Sequence, residues 1–535
     1  MRFISLHCDY IKFKPIKKAL KSVELKKEEF EEKKVNEALV ILTAIEKGDS
    51  IKTVKKFTDN IEEIANQVKV KKIVLYPYAH LSSNLSSPDN AIKILEESEK
   101  ELKKKFEVVR APFGYYKEFE LKCKGHPLAE LSREIKTEIL EKQEDFDYKH
   151  LLREISRTKL DTSKLKDNDH RILGQRLDLF SFHESAPGMV FWHQKGLIIF
   201  NEIVNFWREE HEKARYIEIS TPQIMDEKLW KISGHWQNYK NAMFLTEYEK
   251  RVFAVKPMNC PGAILVYKSK VRSYKELPLR MAELGVVHRK ELSGVLAGLF
   301  RLIRFTQDDA HIFCKEKQLE KEVENILKLV QKFYEKFNFS YAVELSTRPE
   351  KFLGEKKIWD SAEKILENVL KKQKIKYKLE KGKGAFYGPK IDFNIKDSLN
   401  RSWQLATIQL DFQMPERFDL TFINENNKEE KPIILHRTIY GALERFIGIL
   451  LEHTSGNLPL WIAPVQVKVL SFTDRNTKTA EKVAENLIST GIRTEMDLEN
   501  ETVNNKVREA SMQKIPYIVL IGDKEESSKT LAVRT

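Results

Sequence analysis

The sequence predicts a multidomain protein of mixed α/β and α+β class, and three observations lead to this prediction. First, 535 residues are too many for one hydrophobic core, while 41% hydrophobic and 32% charged residues are ordinary for a soluble globular protein. Second, strand and helix patterns alternate near both ends of the chain, which predicts two α/β modules. Third, the stretch 280–314 predicts two long strands joined by a loop, as in an antiparallel sheet.

Composition and charge limit the class of protein. Lysine and arginine total 93 against 80 acidic residues, and the net charge of +13 fits a nucleic-acid partner held largely through its phosphates. No apolar run reaches membrane-spanning length and the first residues lack the apolar core of a signal peptide, so we expect a cytoplasmic protein with no membrane partner. The four cysteines form no C-x-x-C pair, which predicts reduced thiols and, for any metal site, a mixture of Cys and His ligands.

Residues 1–136 form the first predicted module. Its strand patterns cover 2–8, 38–45, 72–76, 106–110 and 116–123, and its helical patterns cover 54–68 and 89–105. Four polar residues gather at the predicted strand ends: His80, Tyr116, Lys117 and Glu130. Each alone is more typical of a loop or cap, but together they favour a functional role.

Residues 137–169 are predicted to connect this module to the next one. They are highly charged, nearly free of Gly and Pro, and helical in pattern, which is typical of a solvated connector. The central domain is predicted over 170–462, with an amphipathic helix at 195–215 and a strand at 216–225. Pro222 interrupts this strand, as expected only at a sheet edge or an interface.

The second strand of the stretch 280–314 carries polar side chains where a core strand is apolar. A period of two places one set on a shared face: Arg301, Ile303, Phe305, Gln307, Asp309 and His311. The first strand ends with Arg289 and Glu291, again two residues apart. This face suits a flat aromatic ring on Phe305, phosphates at the arginines and a small polar molecule near Asp309. A solvated strand is the plainer interpretation, but it would favour Lys and Glu in any order.

Later segments add polar groups to this region. The strand pattern 403–412 places Thr407 and Gln409 on one face. The helical pattern 441–451 places Gly441 and Arg445 on one side, so that a nucleotide can approach the backbone while the arginine reaches phosphate. The Gly-rich segment 381–394 lacks both the residue order of a Walker phosphate loop and the helix that follows one.

Residues 463–535 form the last predicted module. Its strands and helices alternate over 465–472, 477–489, 493–497, 504–513 and 517–522.

Several motifs carry a family resemblance. Residues 283–313 resemble motif 2 of the class II aminoacyl-tRNA synthetases, 216–225 resemble motif 1, and 441–448 resemble motif 3. The strings KPMNCPG and FTQDDAHIF, which begin at Lys256 and Phe305, are similar to threonyl-tRNA synthetases in particular, as are GPKID at 388–392 and LHR at 435–437. The resemblance covers nearly the whole chain.

The resemblance implies the identity of the outer modules. The N-terminal module resembles the archaeal editing domain, which is related to D-aminoacyl-tRNA deacylases, and the C-terminal module resembles an anticodon-binding domain. The chain stops where family members carry at least another strand and helix, so we expect this last domain to be incomplete. Between the two modules, the resemblance implies the antiparallel-sheet catalytic core of class II synthetases.

The resemblance also implies a reaction and its partners. Threonine would be activated by ATP with magnesium to threonyl-adenylate and transferred to tRNA(Thr) by a homodimer. The residues that match the family's catalytic groups are Arg289, Arg445, Gln307, Asp309, Tyr387 and Lys390. Those that match its ATP-binding groups are Arg289, Glu291, Arg301, Phe305, Gln404 and Arg445, and those that match its substrate-binding groups are Asp309, Gln307, Tyr387, Thr407 and Gln409. His80, Tyr116, Lys117 and Glu130 match the pocket that clears serine wrongly attached to the tRNA.

The metal site is implied by the resemblance rather than by spacing. Cys260, His311 and His436 lie 51 and 125 residues apart, and each has an ordinary explanation as a buried or strand residue. They match the family's ligands for one zinc per subunit, and three ligands leave a position open for substrate. A pocket that relies on shape separates threonine from valine by only about 1–3 kcal/mol, whereas a site that binds the hydroxyl rejects valine but admits serine. A second, hydrolytic site is then required, and the N-terminal module is the candidate.

Two alternatives stay open. One is a class II synthetase for another amino acid, such as serine or proline, which would not predict the Cys260, His311 and His436 set combined with Asp309. The other is a tRNA-binding deacylase or regulatory paralogue without aminoacylation, against which the retained arginines and metal ligands argue.

Overall fold

The computed structural model describes residues 1–20, 23–25, 29–82, 84–135, 148–155, 165–398 and 400–535. The chain divides into two compact units, Met1–Phe146 and Asp147–Thr535. Of the predicted connector, the structure describes a helix at Tyr148–Ile155, and most of the remainder lies outside the described residues. None of the helices that the structure describes is both long enough and apolar enough to cross a membrane.

The N-terminal unit is a six-stranded sheet with two helices. Its elements are β1 (Arg2–Lys18), β2 (Lys33–Ala44), α1 (Ile51–Gln67), β3 (Lys72–Pro77), α2 (Pro88–Leu102), β4 (Glu107–Arg110), β5 (Tyr115–Cys123) and β6 (Glu130–Glu134). The strand order is β4-β3-β2-β1-β5, and β6 also pairs with β1. Side chains of β2 alternate between two apolar clusters, one of them shared with α1 and α2, so this strand is apolar from Ala38 to Leu42.

Strand β1, with 17 residues, is more than twice as long as the strand predicted at 2–8. A register shift between Cys8 and Tyr10 turns the Asp9 carboxylate outward, where it pairs with two lysines of the β5 side, and the core pattern resumes at Ile11 and Phe13.

Among its described residues, the second unit contains five sheets, of eight, four, three, two and two strands. Its remaining elements are α3 (Tyr148–Ile155), α4 (His170–Arg176), β7 (Phe180–Ser181), β8 (Phe191–Trp192), α5 (Gln194–Lys213), β9 (Ile217–Glu218), β10 (Ile224–Asp226), α6 (Glu227–Ile232), α7 (His235–Tyr239), β11 (Phe244–Tyr248), β12 (Arg251–Val255), α8 (Cys260–Lys268), β13 (Leu279–His288), β14 (Arg304–Cys314), α9 (Leu319–Lys336), β15 (Tyr341–Ser346), α10 (Lys356–Lys372), β16 (Tyr377–Glu380), β17 (Lys390–Lys396), β18 (Ser402–Asp411), α11 (Gln413–Arg417), β19 (Phe422–Ile423), β20 (Glu429–Glu430), β21 (Ile433–Thr438), α12 (Leu443–Thr454), β22 (Val467–Ser471), α13 (Thr477–Ser489), β23 (Thr494–Asp497), α14 (Val503–Met512), β24 (Tyr517–Ile521), α15 (Asp523–Ser528) and β25 (Ala532–Arg534).

The largest sheet has eight strands in the order β16-β15-β17-β18-β21-β14-β13-β9, and its central pairs are antiparallel. Helices α5, α9 and α12 share one apolar cluster with it, and on β14 that cluster takes Ala310, Ile312 and Cys314. The alternate residues of β14 therefore point to the other face of the sheet. This face holds the candidate site.

Three sequence predictions for this unit need correction. The strand predicted at 216–225 is two short strands in different sheets, because Thr221 turns out of the ladder to bond buried Glu283 through its N–H and hydroxyl. The 280–314 strands are shorter than predicted, so Arg289, Glu291 and Arg301 lie in the connecting loop. The helix predicted at 441–451 begins at Leu443, since Gly441 before it has a φ of 73°.

The C-terminal part carries a four-stranded sheet in the order β23-β22-β24-β25. Strand β22 runs parallel to β23 and β24, and helices α13 and α14 contribute to separate apolar clusters. The predicted mixture of α/β modules around an antiparallel sheet is thus confirmed.

Candidate active site

A cavity of about 520 Å³ opens on the polar face of the eight-stranded sheet. The residues that the sequence singled out and that line it are Cys260, Arg289, Glu291, Arg301, Phe305, Gln307, Asp309, His311, Tyr387, Gln404, Thr407, Gln409, His436 and Arg445. Lys390 is not among the lining residues. The structure therefore brings together residues spread over nearly 200 positions of the sequence.

One side of the cavity is rich in guanidinium groups. The Arg289 guanidinium lies 5.1 Å from the ring centroid of Phe305, and its Nε donates to the Pro257 carbonyl over 3.1 Å. Arg445 donates from Nε to the Phe300 carbonyl over 2.9 Å, and Arg301 pairs with Glu291 at 2.9 Å. Burial and the neighbouring arginines lower the pKa of Arg445, which indicates excess positive charge. This side suits a polyanion beside a flat ring.

Asp392 organises the polar wall beside the arginines. Its Oδ1 accepts from Gln404 Nε2 over 2.6 Å and from Thr407 Oγ1 over 3.0 Å. Gln404 and Thr407 are an odd number of positions apart, so on a regular strand they would point to opposite faces. A register irregularity in β18 opposite β17 lets both face Asp392. The Lys390 ammonium lies 2.8 Å from Oδ2 of the same carboxylate.

The opposite side of the cavity holds the cysteine and two histidines. The ligand atoms of Cys260, His311 and His436 lie within 4.8 Å of one another. The sheet register pairs the two histidines directly on β14 and β21, and Cys260 is the first residue of α8. One thiolate and two imidazoles are ligands that zinc prefers.

Two further observations fit a metal ion here. His311 Nδ1 is buried without a hydrogen-bond partner among the described residues, and burial lowers the pKa of His311 well below its usual value, which keeps the ring neutral. Burial opposes protonation of His436 as well, but its bonds to Asp411 and Cys260 raise its pKa to about 10. A bound cation would displace that proton, as metals do on binding.

Between the two sides, Asp309 and Tyr387 line the cavity. Burial raises the pKa of Asp309 to about 6. The Tyr387 hydroxyl donates to Gln409 Oε1 over 2.5 Å, and its ring lies 5.5 Å from that of His436. These groups can position a small polar molecule between the polyanion side and the metal side.

Sequence reasoning missed three buried residues around the site. Asp308 accepts the backbone N–H groups of Ile439, Tyr440 and Gly441 and so holds the turn before α12. Its signal was a carboxylate at a core position of β14. Asn259, which belongs to the string KPMNCPG, donates a hydrogen bond to Asp309. The third residue, His235, is buried and follows Gly234, whose φ is 80°.

In the N-terminal unit, ring contacts connect two of the four predicted residues. The Lys117 ammonium lies 4.9 Å from the Tyr76 ring centroid, and Tyr76 contacts Tyr78, which contacts His80. Tyr116, next to Lys117, is 63% exposed. Glu130 starts β6, opposite Leu6 of β1. Burial raises the pKa of the Cys8 and Cys123 thiols, and the charge of Glu130 raises it further. The described contacts do not join Glu130 to Lys117.

Three family models match the chain. Residues 1–135 match the archaea-specific editing domain of threonyl-tRNA synthetase, 244–454 match the tRNA synthetase class II core domain (G, H, P, S and T), and 461–535 match an anticodon-binding domain.

Curated relatives and solved structures agree with these matches. The threonine–tRNA ligases of Natranaerobius thermophilus and Caldanaerobacter subterraneus are 53% and 54% identical over 370 residues, which is 69% of this chain and 58% of each relative. The chain thus spans under two thirds of their length. A crystal structure titled as the RNA binding domain of threonyl-tRNA synthetase from Cryptosporidium parvum has 41% identity and a TM-score of 0.67, covering 68% of this chain and 92% of its own. A putative threonyl-tRNA synthetase from Aeropyrum pernix has 31% identity and a TM-score of 0.63, covering 69% and 88%.

Proposed function

Because this chain belongs to the threonyl-tRNA synthetase family, we propose that it activates threonine with ATP and transfers it to tRNA(Thr). The observation that carries this proposal is one cavity with arginines on one side and the Cys260, His311 and His436 set on the other. The first side suits a nucleoside triphosphate and the second a small amino acid.

In the proposed activation step, the threonine carboxylate attacks the α-phosphate of ATP and pyrophosphate leaves. The nucleophile is already ionised, so little acid–base work is needed. Phe305 supports the adenine ring, while Arg289 and Arg445 hold the phosphate and stabilise the charge that develops on it. Magnesium would accompany the ATP phosphates.

Selection of threonine follows from the other side of the cavity. A zinc ion held by Cys260, His311 and His436 would keep coordination positions free for both the amino and the hydroxyl group of threonine. Asp309 accepts a hydrogen bond from the hydroxyl, which valine cannot donate. Gln307, Tyr387, Thr407 and Gln409 enclose the remaining polar groups of the substrate. Lys390, which pairs with Asp392 in this wall, would face the substrate together with Tyr387.

Serine keeps the hydroxyl and passes this selection, so we propose that the N-terminal unit hydrolyses seryl-tRNA(Thr). Lys117, with Tyr116 and His80 nearby, would bind the aminoacyl ester, and Glu130 would line the same pocket.

The proposed domains are 1–136 for editing, 137–169 as connector, 170–462 for catalysis and 463–535 for anticodon binding.

We further propose a cytoplasmic homodimer. Ile217 of edge strand β9 and Ile224 of β10 are 49% and 53% exposed, and apolar side chains at a sheet edge favour burial against a second copy.

The test is exchange of pyrophosphate into ATP in a zinc-replete sample, which needs no tRNA. We expect exchange with threonine to be far more efficient than exchange with valine or proline. Hydrolysis of seryl-tRNA(Thr) without any threonine-dependent exchange would favour the deacylase alternative instead.

A further inference from the structure

The side chain of Asn259 does not cap the helix that begins after it. It occupies the N-cap of α8, where an asparagine oxygen usually accepts an N–H from the first turn, but it makes no such bond. Instead its Nδ2 donates to Oδ2 of Asp309 over 2.6 Å, and the residue is fully buried. The helix tolerates the missing cap because Pro261 stands in its first turn and removes one N–H that a cap would serve.

The space for this amide comes from Gly285. Gly285 lies opposite Gln307 in the β13–β14 ladder, so a side chain there would point to the cavity face. A Cβ at Gly285 would lie 2.1 Å from Asn259 Oδ1 and 2.3 Å from Nδ2. Asn259 can therefore reach Asp309 only because residue 285 has no side chain.

The carboxylate of Asp309 is held at one oxygen only. Within the part of the chain that the structure describes, no group donates to its Oδ1, and Asp309 lines the cavity. The neighbouring carboxylate, Glu283, lies opposite Asp309 in the ladder and is occupied by Lys256 and Thr221. The Asn259 amide therefore serves Asp309 alone and is not shared with Glu283.

We propose that Asn259 is a positioning residue for the selection of threonine. By holding Oδ2 of Asp309, it presents Oδ1 alone, in a fixed direction, to the hydroxyl of the bound amino acid. This inference rests on the proposed function. Without the amide, the buried carboxylate can rotate, and this weakens a hydroxyl contact without affecting the nucleotide side.

The test compares Asn259→Ala, Gly285→Ala and the double variant, each in the full chain. Loss of a hydrogen bond to a charged group corresponds to about a ten- to hundredfold effect. We expect kcat/KM for threonine in pyrophosphate exchange to fall by that factor through KM for threonine, while KM for ATP stays unchanged. The kcat/KM for valine in the same exchange should not fall in parallel, so the ratio of kcat/KM for threonine to that for valine decreases.

The double variant distinguishes this proposal from general damage. Gly285→Ala should mimic Asn259→Ala, because it displaces the amide, and should have little further effect once the amide is gone. Calorimetric titration of threonine gives a readout that does not depend on turnover.

Asn424→Ala is the matched control. Its buried amide also donates to a carboxylate, Glu430, over 2.9 Å, but in the β19–β20 hairpin. The Asn424→Ala substitution should lower the stability of the protein and leave the preference for threonine over valine unchanged. Equal losses with threonine and valine, or additive effects in the double variant, would overturn the proposal. Absence of threonine-dependent exchange in the unmodified chain would refute the proposed function and this inference with it.

Discussion

His436 donates from Nε2 to Oδ2 of Asp411 over 2.8 Å, and both side chains are buried. In the neutral ring that remains once a cation has displaced the second proton, this bond keeps the proton on Nε2 and directs the lone pair of Nδ1 to the metal. The other oxygen of Asp411 accepts the N–H groups of Gln413 and Met414 at the start of α11. One carboxylate therefore orients a candidate ligand and anchors a helix.

Asp411→Asn is expected to lower zinc affinity about ten- to hundredfold. The amide oxygen can keep the two helix bonds, but its NH₂ group faces His436 and favours the ring tautomer with the proton on Nδ1. Competition with a chelator of known affinity measures the change. Asp226→Asn is the control, since Asp226 also accepts a helix N–H, from Lys228 over 2.8 Å, away from the histidines. Unchanged affinity in Asp411→Asn would show that the bond does not set the tautomer.

Periodicity predicted the cavity face of β14 because strand alternation is a local property. Phe305, Gln307, Asp309 and His311 all line the cavity, while Ala310 between them is buried in the core. The loop residues also reach the cavity, but the sequence assigned them to strands, because a period of two carries no information on where a ladder ends.

Pairings between distant segments were beyond the sequence. Asn259 next to Asp309, and Asp411 next to His436, depend on which strands and helices become neighbours, and no spacing encodes that. Likewise Asp308 stands at a core position where a carboxylate looks misplaced. Its place is explained by three backbone N–H groups more than 130 residues away and by the buried Arg437 guanidinium, 4.0 Å from its Oδ2, which together offset its burial.

Cys260→Ser is expected to lower bound zinc and threonine-dependent pyrophosphate exchange together. A serine hydroxyl is a much poorer zinc ligand than a thiolate, and the substitution hardly changes the shape of the site. Metal analysis of the purified protein measures the first effect. Cys314→Ser is the control, because Cys314 lies in the apolar core, where burial raises the pKa of its thiol to about 12. Full zinc content in Cys260→Ser would remove Cys260 from the site.

Gly388→Ala is expected to reduce threonine-dependent exchange by about a hundredfold. A Cβ at this position would lie 1.8 Å from the Leu410 carbonyl oxygen, and backbone cannot rotate away as a side chain can. The strand must shift and move Tyr387, which lines the cavity beside it. Gly294→Ala is the matched control, since no atom lies within 4 Å of its added Cβ. Near-normal exchange in Gly388→Ala would mean that the position of Tyr387 is not critical.

Lys117→Met is expected to abolish hydrolysis of seryl-tRNA(Thr) and leave threonine charging intact. The Lys117 ammonium donates to the carbonyls of Pro112 and Tyr115 over 2.9 and 3.1 Å, and its burial lowers its pKa to about 8. If the charged form binds the ester, hydrolysis by the unmodified chain should decline as pH rises through about 8. Lys122→Met on the same strand is the control, because its side chain is 68% exposed. Unchanged clearance of seryl-tRNA in Lys117→Met would count against the editing assignment.

The same substitution should change stability in a pH-dependent way. The pKa of Lys117 is about 8 in the folded chain and about 10.4 for an unperturbed lysine, so between these values the unfolded chain binds more protons. Stability of the unmodified unit therefore rises with pH across this window. At pH 7 the Lys117→Met variant avoids the cost of burying a charged ammonium group. Its free energy of unfolding should therefore exceed that of the unmodified chain by up to about 3 kcal/mol, less the contribution of the two lost hydrogen bonds to carbonyls. Hydrogen exchange of the β1 and β2 amides in the full chain should show this advantage shrinking towards pH 10, and an advantage that is constant with pH would contradict the lowered pKa.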